Sequence, residues 1–232
     1  MGTAVRHSAA DVVRVKFSLV TPALDAVSAP LWQPDGLERR YRHYLQTMHG
    51  VLRASVPLME LAAELCLMAA PHDPLSGPLR TYLLRHAAEE RGHDDWLLSD
   101  LAALGHDPYR LVGEVPPPVV ARLVGPQYYW IRHHHPVALL GYIAMLEAHA
   151  PSSRLAAHIA LATGAPEAAL RTVHAHADLD PGHSDAVFEL LDRLPLTAQQ
   201  LHAVTVSGLA TAAALMDVYA HVIHTASQGG QP

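Results

Sequence analysis

The sequence has a single cysteine and few charged residues. Cys66 is the only cysteine among 232 residues, so no disulfide can form within the chain, and a reducing, cytoplasmic location is expected. Charged residues make up 16% of the chain against 50% hydrophobic residues, which favours a compact core and excludes an intrinsically disordered protein. No linker is visible, so we predict one domain over residues 1–232.

Two further absences restrict the partners. The formal net charge is −6 and no run of Lys and Arg occurs, so no nucleic-acid partner is expected. The N-terminal residues lack the apolar segment of a signal peptide, and no run of about 18 uninterrupted apolar residues follows, so no membrane partner is expected either. The remaining partners are a small-molecule substrate and, in a homodimer that the sequence leaves open, a second copy of the chain.

Segments with helical periodicity dominate the sequence, and alternating strand patterns are nearly absent. The pattern predicts an all-α fold of about seven or eight helices, with an irregular N-terminal segment over 1–30 and a tail over 226–232. The first long helix contains Pro57, which would kink or divide it. Thr197 is a suitable N-cap for the last one. The predicted helices cover residues 37–70, 79–104, 117–132, 137–149, a segment ending at 160, 165–192 and 197–224.

Histidine is abundant, with 18 residues, and it is the commonest metal ligand in proteins. In the stretch VHAHADLDPGHSD, a continuous helix would place Asp180 about 40° from His176 on one side and His183 about 20° on the other, so all three would project in one direction. Pro181 and Gly182 interrupt this pattern, and an interior proline costs about 3 kcal/mol. We therefore predict a kink or local unwinding between Asp180 and His183. The alternative interpretation is a polar helix face in a histidine-rich chain.

The stretch RHAAEERGHDDW holds a second group of candidate ligands. His86 and His93 are seven positions apart, which places them within about 20° of each other on a helix. Glu90 precedes His93 by three positions, and Glu-x-x-His pairs on one helix face build carboxylate-bridged metal sites in helical bundles. A charged stripe facing solvent is the alternative.

Glu147 is the only charged residue in the apolar stretch PVALLGYIAMLEAHA. Buried carboxylates are nearly always paired or bound to metal, although this one could also reach solvent at the helix end or pair with a buried arginine. Together the three stretches supply carboxylates and imidazoles from three helices. Such mixed oxygen and nitrogen ligation suits iron or manganese, and the lack of cysteine ligands argues against structural zinc.

On these residues the sequence resembles the heme-oxygenase-like diiron oxidases, iron-containing redox enzymes. They share their helical fold with heme oxygenase, the thiaminase II-like proteins and the pyrroloquinoline quinone synthase proteins. The resemblance rests on AEERGHDDWLLSDLAALG, on HPVALLGYIAMLE and on the His-x3-Asp-x2-His element, and it covers about residues 37–224. It implies a single-domain heme-oxygenase-like helical bundle.

The resemblance also implies a ligand set and an activity. The implied iron ligands are His93, Glu147, His176, Asp180 and His183. The sixth would be His86 or Glu90, with Glu60 and Glu64 as further candidates on the first long helix. The implied cofactor is Fe(II)/Fe(III), as two ions, with O2 as co-substrate. The implied activity is oxidation or oxygenation of a small amino-acid-derived or carboxylate substrate in a biosynthetic pathway.

Alternative functions on the same fold lack support in the residues. A heme oxygenase needs a proximal histidine near the start of the first long helix, where His43 and His49 lie, but the other ligands would then be unexplained. The metal-free thiaminase-type and quinone-synthase-type activities are similarly disfavoured. Thiaminase chemistry needs a nucleophilic cysteine, and Cys66 lies in the apolar stripe MELAAELCLM, as a core residue would. A metal-free binding or interaction protein, in which the polar residues form a satisfied network, is the alternative from a different class.

Overall fold

The computed structural model describes residues 7–70 and 72–228, and this part of the chain confirms the prediction of an all-α fold. It forms eleven α-helices and three short 3-10 helices, more than the predicted seven or eight because the N-terminal residues are helical, one predicted helix is divided and a short helix forms at Pro108–Gly113. The α-helices are α1 (Ala9–Ser18), α2 (Thr21–Ser28), α3 (Leu37–Ala69), α4 (Ser76–Glu90), α5 (His93–Ala103), α6 (Pro108–Gly113), α7 (Pro118–His133), α8 (Leu139–Glu147), α9 (Leu155–Thr163), α10 (Arg171–Arg193) and α11 (Ala198–Gln228).

The long helix α3 packs against α4, α5, α7, α9 and α11. Its buried side chains recur at helical spacing along the whole helix, including Leu37, Tyr41 and Leu45 near the start and Leu58, Ala62 and Cys66 near the end. The first three belong to one hydrophobic cluster and the last three to the larger one. Pro57 lies within the helix without dividing it. The helix therefore contributes to both parts of the core.

The N-terminal segment is mostly helical, so the prediction of an irregular segment is wrong for residues 9–30. Ser8 caps α1 by accepting a hydrogen bond from the backbone N–H of Asp11 at 3.1 Å. Ala10, Val13 and Phe17 bury the apolar side of the helix. Three apolar positions are too few to establish a helical periodicity, so the sequence pattern did not predict this helix. Residues 1–6 and 229–232, part of the predicted tail, lie outside the described residues, whereas 226–228 continue α11.

The segment predicted as one helix over 79–104 forms two. α4 ends at Glu90, and α5 begins at His93. Gly92 between them has φ +87°, a left-handed conformation that glycine adopts without steric cost. Asp94 and Asp95 lie in the first turn of α5, where negative charge complements the helix dipole. The pair Glu90 and His93 therefore projects from two helix ends, not from one helix face as predicted.

Helix α10 runs without interruption through Pro181. Of the predicted kink or local unwinding between Asp180 and His183, the unwinding is therefore wrong, and the kink stays a prediction. Proline removes one backbone hydrogen bond, but the turns on both sides remain helical. Buried Val173 near one end and Leu191 near the other hold the helix against the bundle. Tertiary packing therefore outweighs the intrinsic cost of about 3 kcal/mol.

Helix α8 packs directly against the backbone of α11. A Cβ atom at Gly141 would overlap the carbonyl oxygen of Val204, and one at Gly208 would lie 2.9 Å from the carbonyl oxygen of Gly141. Only glycine permits so close an approach of two helices. This contact fixes the position of α8, and Glu147 is the last residue of that helix.

Helix α11 begins as predicted. Thr197 and Gln200 exchange capping hydrogen bonds, with Gln200 N–H donating to Thr197 Oγ1 at 3.2 Å and Thr197 N–H donating to Gln200 Oε1 at 2.9 Å. Among the described residues this is the one helix long and apolar enough to cross a membrane by length and composition. In this structure 44% of its most apolar window is buried, and it packs against α2, α3, α7 and α8. Core helices of folded bundles pass the same test of length and composition.

Candidate metal centre

Four helices bring the predicted ligands together inside the bundle. α4 contributes residues from its last two turns, α5 contributes its first residue, α8 its last, and α10 three residues along one side. Six of these side chains form two clusters whose ligand atoms lie within 4.8 Å of one another: His86, Glu90, Glu147 and His183 in one, and Glu90, His93 and His176 in the other.

The first cluster joins α4, α8 and α10. Nε2 of His86 lies 3.2 Å from Oε1 of Glu147. Nδ1 of His183 lies 3.5 Å from Oε2 of Glu147 and 3.5 Å from Oε1 of Glu90. The His86 and His183 rings meet edge to face with their centroids 4.5 Å apart. All four side chains are at most 12% exposed, so two carboxylates and two imidazoles converge on one volume from which most water is excluded.

The second cluster joins α4, α5 and α10. Nδ1 of His93 lies 3.2 Å from Oε2 of Glu90, and the His93 and His176 rings are 5.3 Å apart. Glu90 belongs to both clusters: its Oε1 faces His183 and its Oε2 faces His93. One carboxylate therefore stands between two groups of imidazoles.

Three buried polar atoms in these clusters make no hydrogen bond with any described residue: Nδ1 of His93, Nδ1 of His183 and Oε2 of Glu147. They lie within 3.5 Å of neighbouring polar atoms, but with the wrong geometry for hydrogen bonding. Leaving buried polar atoms unpaired costs about 1–3 kcal/mol each. A cation in the first cluster would satisfy the atoms of His183 and Glu147, and one in the second would satisfy that of His93, so the residues fit metal ions.

Electrostatics point in the same direction. Burial, reinforced by the negative charges of Glu147 and Glu90, raises the pKa of Asp180 to about 9. Contact with Glu147 raises the pKa of His183 above its ordinary value, although burial opposes this. Burial alone would raise the pKa of Glu147, but its contacts with His183 and His86 outweigh burial and lower it. Three carboxyl groups thus share a site that a bound cation would stabilise in the ionised form.

Neighbouring residues hold the rings in place. Nδ1–H of His176 donates to the carbonyl oxygen of Thr172 at 2.9 Å, and this tautomer leaves Nε2 free to bind a cation. The backbone N–H of Thr172 in turn donates to Oδ2 of Asp100 at 2.9 Å. The His93 ring stacks on Trp96 with centroids 3.8 Å apart. Asp100 thus ties α5 to the first turn of α10, the two helices that carry His93 and His176.

A cavity of about 90 Å³ adjoins both clusters, and it is lined by Glu90, Glu147, His176 and Asp180 on the polar side. Its other walls are mostly apolar or aromatic, including Leu52, Leu97, Val173, Leu215 and Tyr44. A second pocket of about 270 Å³ shares Tyr44, His149, Ala150, Pro151 and Tyr219 with this cavity. The two volumes are therefore neighbours on the side of the clusters where these five residues lie.

The structure separates the ligand candidates that the sequence left open. His86 and Glu90 both lie in the first cluster. Glu60 and Glu64 are exposed, and Glu60 instead pairs with Arg91 at 2.7 Å. Asp180 belongs to neither cluster, but it is 6% exposed and lines the adjoining cavity.

Sequence reasoning missed Asp100 and the aromatic residues that support the rings. Asp100 is fully buried and is a lone carboxylate in the apolar stretch LLSDLAALG. The argument applied to Glu147 would have found it. Tyr82, which stacks on His86 with centroids 5.5 Å apart, carries no such signal because an aromatic residue in a helix is usually core.

Cys66 is not placed for nucleophilic catalysis. Its side chain is fully buried in the larger hydrophobic cluster. Burial, aided by the negative charge of Asp73, raises the pKa of the Cys66 thiol to about 11. A thiol in this environment stays protonated at neutral pH and is a poor nucleophile.

Comparison with known proteins identifies a matching family and solved structures with a similar fold. The family model for iron-containing redox enzymes matches residues 36–217. A domain of unknown function with a heme oxygenase-like fold from Shewanella denitrificans has a TM-score of 0.76 at 20% identity, covering 98% of this chain and 97% of that chain. A TenA homolog from Pseudomonas syringae pv. tomato has a TM-score of 0.73 at 15% identity, with 97% and 98% covered. No curated protein matches the sequence significantly.

A CADD-like protein of unknown function from Nostoc punctiforme is also similar, with a TM-score of 0.63 at 15% identity over 91% of this chain and 99% of that chain. At these identities the solved structures establish a heme oxygenase-like fold, as the sequence predicted, and they carry no information on substrate. The family match is separate from them, because it rests on the sequence over most of the chain.

Proposed function

Because the chain belongs to the family of iron-containing redox enzymes, we propose that it is a nonheme diiron oxidase or oxygenase that uses O2 on a small substrate. The observation that carries the proposal is the position of Glu90, whose two carboxylate oxygens face two different clusters of histidines. A carboxylate shared in this way is the usual bridge of a dinuclear site in a helical bundle.

The two clusters divide the proposed ligands between two iron ions. His86, Glu147 and His183 would hold one ion, His93 and His176 the other, and Glu90 both. Asp180 lines the cavity that adjoins both clusters, and we assign it to the second ion. Oxygen and nitrogen donors without sulfur suit Fe(II) and Fe(III). Bound iron would supply the electron-transfer and O2 chemistry that no side chain provides.

The chain's own residues would position the reactants and exclude water. The carbonyl oxygen of Thr172 fixes the tautomer of His176, and stacking on Trp96 restrains the His93 ring. The adjoining cavity has apolar walls and a volume of about 90 Å³, which favours a small substrate. An amino-acid-derived or carboxylate metabolite of a biosynthetic pathway is the substrate class that we propose.

Iron loading tests this function directly. Purified protein, stripped with a chelator and reconstituted anaerobically with Fe(II), is expected to bind two iron ions per chain and to give a transient visible absorption when exposed to O2. His183→Ala and His176→Ala are each expected to lose one ion, because each histidine belongs to one cluster only. His202→Ala is the matched control, since His202 is exposed on α11.

The outcomes separate the alternatives. Loading of one ion per chain in the wild type would contradict the dinuclear site. Failure to bind iron at all, together with unchanged thermal stability in the presence of Fe(II), would favour a metal-free binding protein on the same fold.

A further inference from the structure

A third pocket, distinct from the two described above, lies on another face of α3, away from the candidate metal centre. Its volume is about 400 Å³, and its walls are α3, the connection between α6 and α7, and α11. It shares no lining residue with the metal-centre cavity: α3 presents His43 and Ala54 to this pocket and Tyr44 and Leu52 to the other. Nothing in the proposed oxidase chemistry uses this pocket.

One histidine of α3, His49, lies at the wall of this pocket. His49 lines it and is only 5% exposed. Among the described residues its ring makes no hydrogen bond and no ion pair, whereas His86, His176 and His183 all contact polar groups. Neither ring nitrogen of His49 is among the fully buried atoms without a partner, so the ring is accessible from the pocket and can hydrogen-bond to a ligand there.

Further donors surround His49. Arg42 Nη2 lies 3.3 Å from Nε2 of His43, and because a guanidinium can only donate, His43 carries its own hydrogen on Nδ1. Burial lowers the pKa of His43, of His49 and of His221, so these rings are neutral at neutral pH. They offer hydrogen bonds without charge.

Arg53 supplies the positive charge of the pocket. Its guanidinium makes no ion pair within the part of the chain that the structure describes, which leaves its charge free for a ligand. Glu114, the carboxylate at the rim, pairs with Arg110 at 3.3 Å, and both side chains are exposed to solvent, which screens their charges. A guanidinium beside imidazole donors is a typical binding arrangement for a carboxylate.

The remaining wall is apolar. Leu111, Val115, Pro116 and Pro117 line the side formed by the connection between α6 and α7, and the Tyr128 ring lies beside them. Val115 is 92% exposed, so its side chain is accessible to a ligand. The apolar part of a ligand could pack against this wall and shield these side chains from water.

We propose that this pocket binds a small organic carboxylate with an apolar body, separately from the metal centre. Arg53 holds the carboxylate, His43, His49 and His221 form hydrogen bonds around it, and the proline-rich connection covers the apolar part. The proposal does not depend on iron binding, because the two sites share no residue.

Calorimetric titration of the full-length chain with benzoate tests this proposal, with benzyl alcohol and benzylamine as neutral and cationic probes of the same shape. Saturable binding of benzoate is expected, and weaker binding of the other two. Arg53→Gln is expected to weaken benzoate binding at least about tenfold, the loss of one charge-assisted hydrogen bond. Arg53 is exposed, so this variant should fold normally. Arg193→Gln, an exposed arginine on α10, is the matched control.

A second variant and a metal-site variant complete the test. His49→Leu is expected to weaken benzoate binding as well, provided that its circular dichroism spectrum matches the wild type. His183→Ala is expected to bind benzoate like the wild type. Absence of saturable benzoate binding, equal binding of benzylamine, or loss of binding in His183→Ala but not in Arg53→Gln would each overturn the proposal. Iron stoichiometry in Arg53→Gln reports separately on the proposed function.

Discussion

Glu90 and His93 face each other across a helix break: Oε2 of Glu90 at the end of α4 lies 3.2 Å from Nδ1 of His93 at the start of α5. Only two residues separate them, and one is Gly92 with its positive φ. The contact at the shared carboxylate therefore depends on a local backbone conformation.

Replacement of Gly92 by alanine is expected to lower the free energy of unfolding by about 1–2 kcal/mol, the cost of a left-handed conformation for a residue with a Cβ. No atom lies within 4 Å of the added Cβ, so the cost is conformational and not steric. Chemical denaturation measures it. Gly77→Ala in α4 is the control: its Cβ also meets nothing within 4 Å, its φ is not positive, and its stability should be unchanged or higher. Equal effects of both variants would contradict the role of Gly92.

Replacement of Glu90 by alanine is expected to abolish binding of both iron ions. Replacement of a histidine that belongs to one cluster should abolish binding of only one ion. The reason is that Glu90 alone belongs to both clusters. Metal analysis after anaerobic reconstitution provides the count. Glu60→Ala removes an exposed glutamate that pairs with Arg91, and it should load iron like the wild type. A variant Glu90→Ala that retains one tightly bound ion would show that the carboxylate is not shared.

Replacement of Asp100 by alanine is expected to lower the free energy of unfolding by about 1–3 kcal/mol, because the N–H of Thr172 loses its buried acceptor. The Asp100→Asn variant keeps an acceptor oxygen and should lose less. Urea denaturation gives both values, and Asp217→Ala, which removes a 62% exposed carboxylate on α11, is the control. Because Thr172 also orients His176, we expect Asp100→Ala to weaken iron binding at the second cluster more than at the first.

Replacement of Gly141 by alanine is expected to destabilise the protein by at least about 1–3 kcal/mol, as overpacked cores are. The new Cβ would overlap the backbone of α11 at Val204, and backbone atoms cannot move aside. Thermal denaturation checks this, with Gly125→Ala in α7 as the control because its Cβ would meet nothing within 4 Å. Since α8 ends at Glu147, we also expect reduced iron binding in the Gly141 variant. Equal melting temperatures would rule out the tight contact.

The thiol of Cys66 is expected to resist iodoacetamide in the native protein at neutral pH and to react fully in denaturant. Burial raises its pKa to about 11, so the reactive thiolate is scarce, and the side chain is fully covered. Mass spectrometry of the alkylated chain measures the modification. Rapid labelling of the native thiol would contradict this expectation and would favour a cysteine-dependent activity of the thiaminase type.

The sequence alone determined the class of the fold and most of the candidate site. Helical periodicity is a local property, so it revealed the long helices α3 and α11 and the N-cap Thr197. Lone polar residues in apolar stretches also carry their own signal, and this is how Glu147 was recognised. The match of the family model to residues 36–217 agrees with the resemblance that these residues suggested.

Tertiary structure decided what depends on several elements at once. Pro181 should have broken α10 by propensity, but packing against the bundle keeps the helix intact. The choice of His86 and Glu90 over Glu60 and Glu64 depends on which helix faces meet, and no spacing along one helix contains that information. The sharing of Glu90 between two clusters likewise requires a helix break at Gly92 and contact between three helix ends. The distances between those ends are set by helix packing, which the position of a residue in the sequence does not reveal.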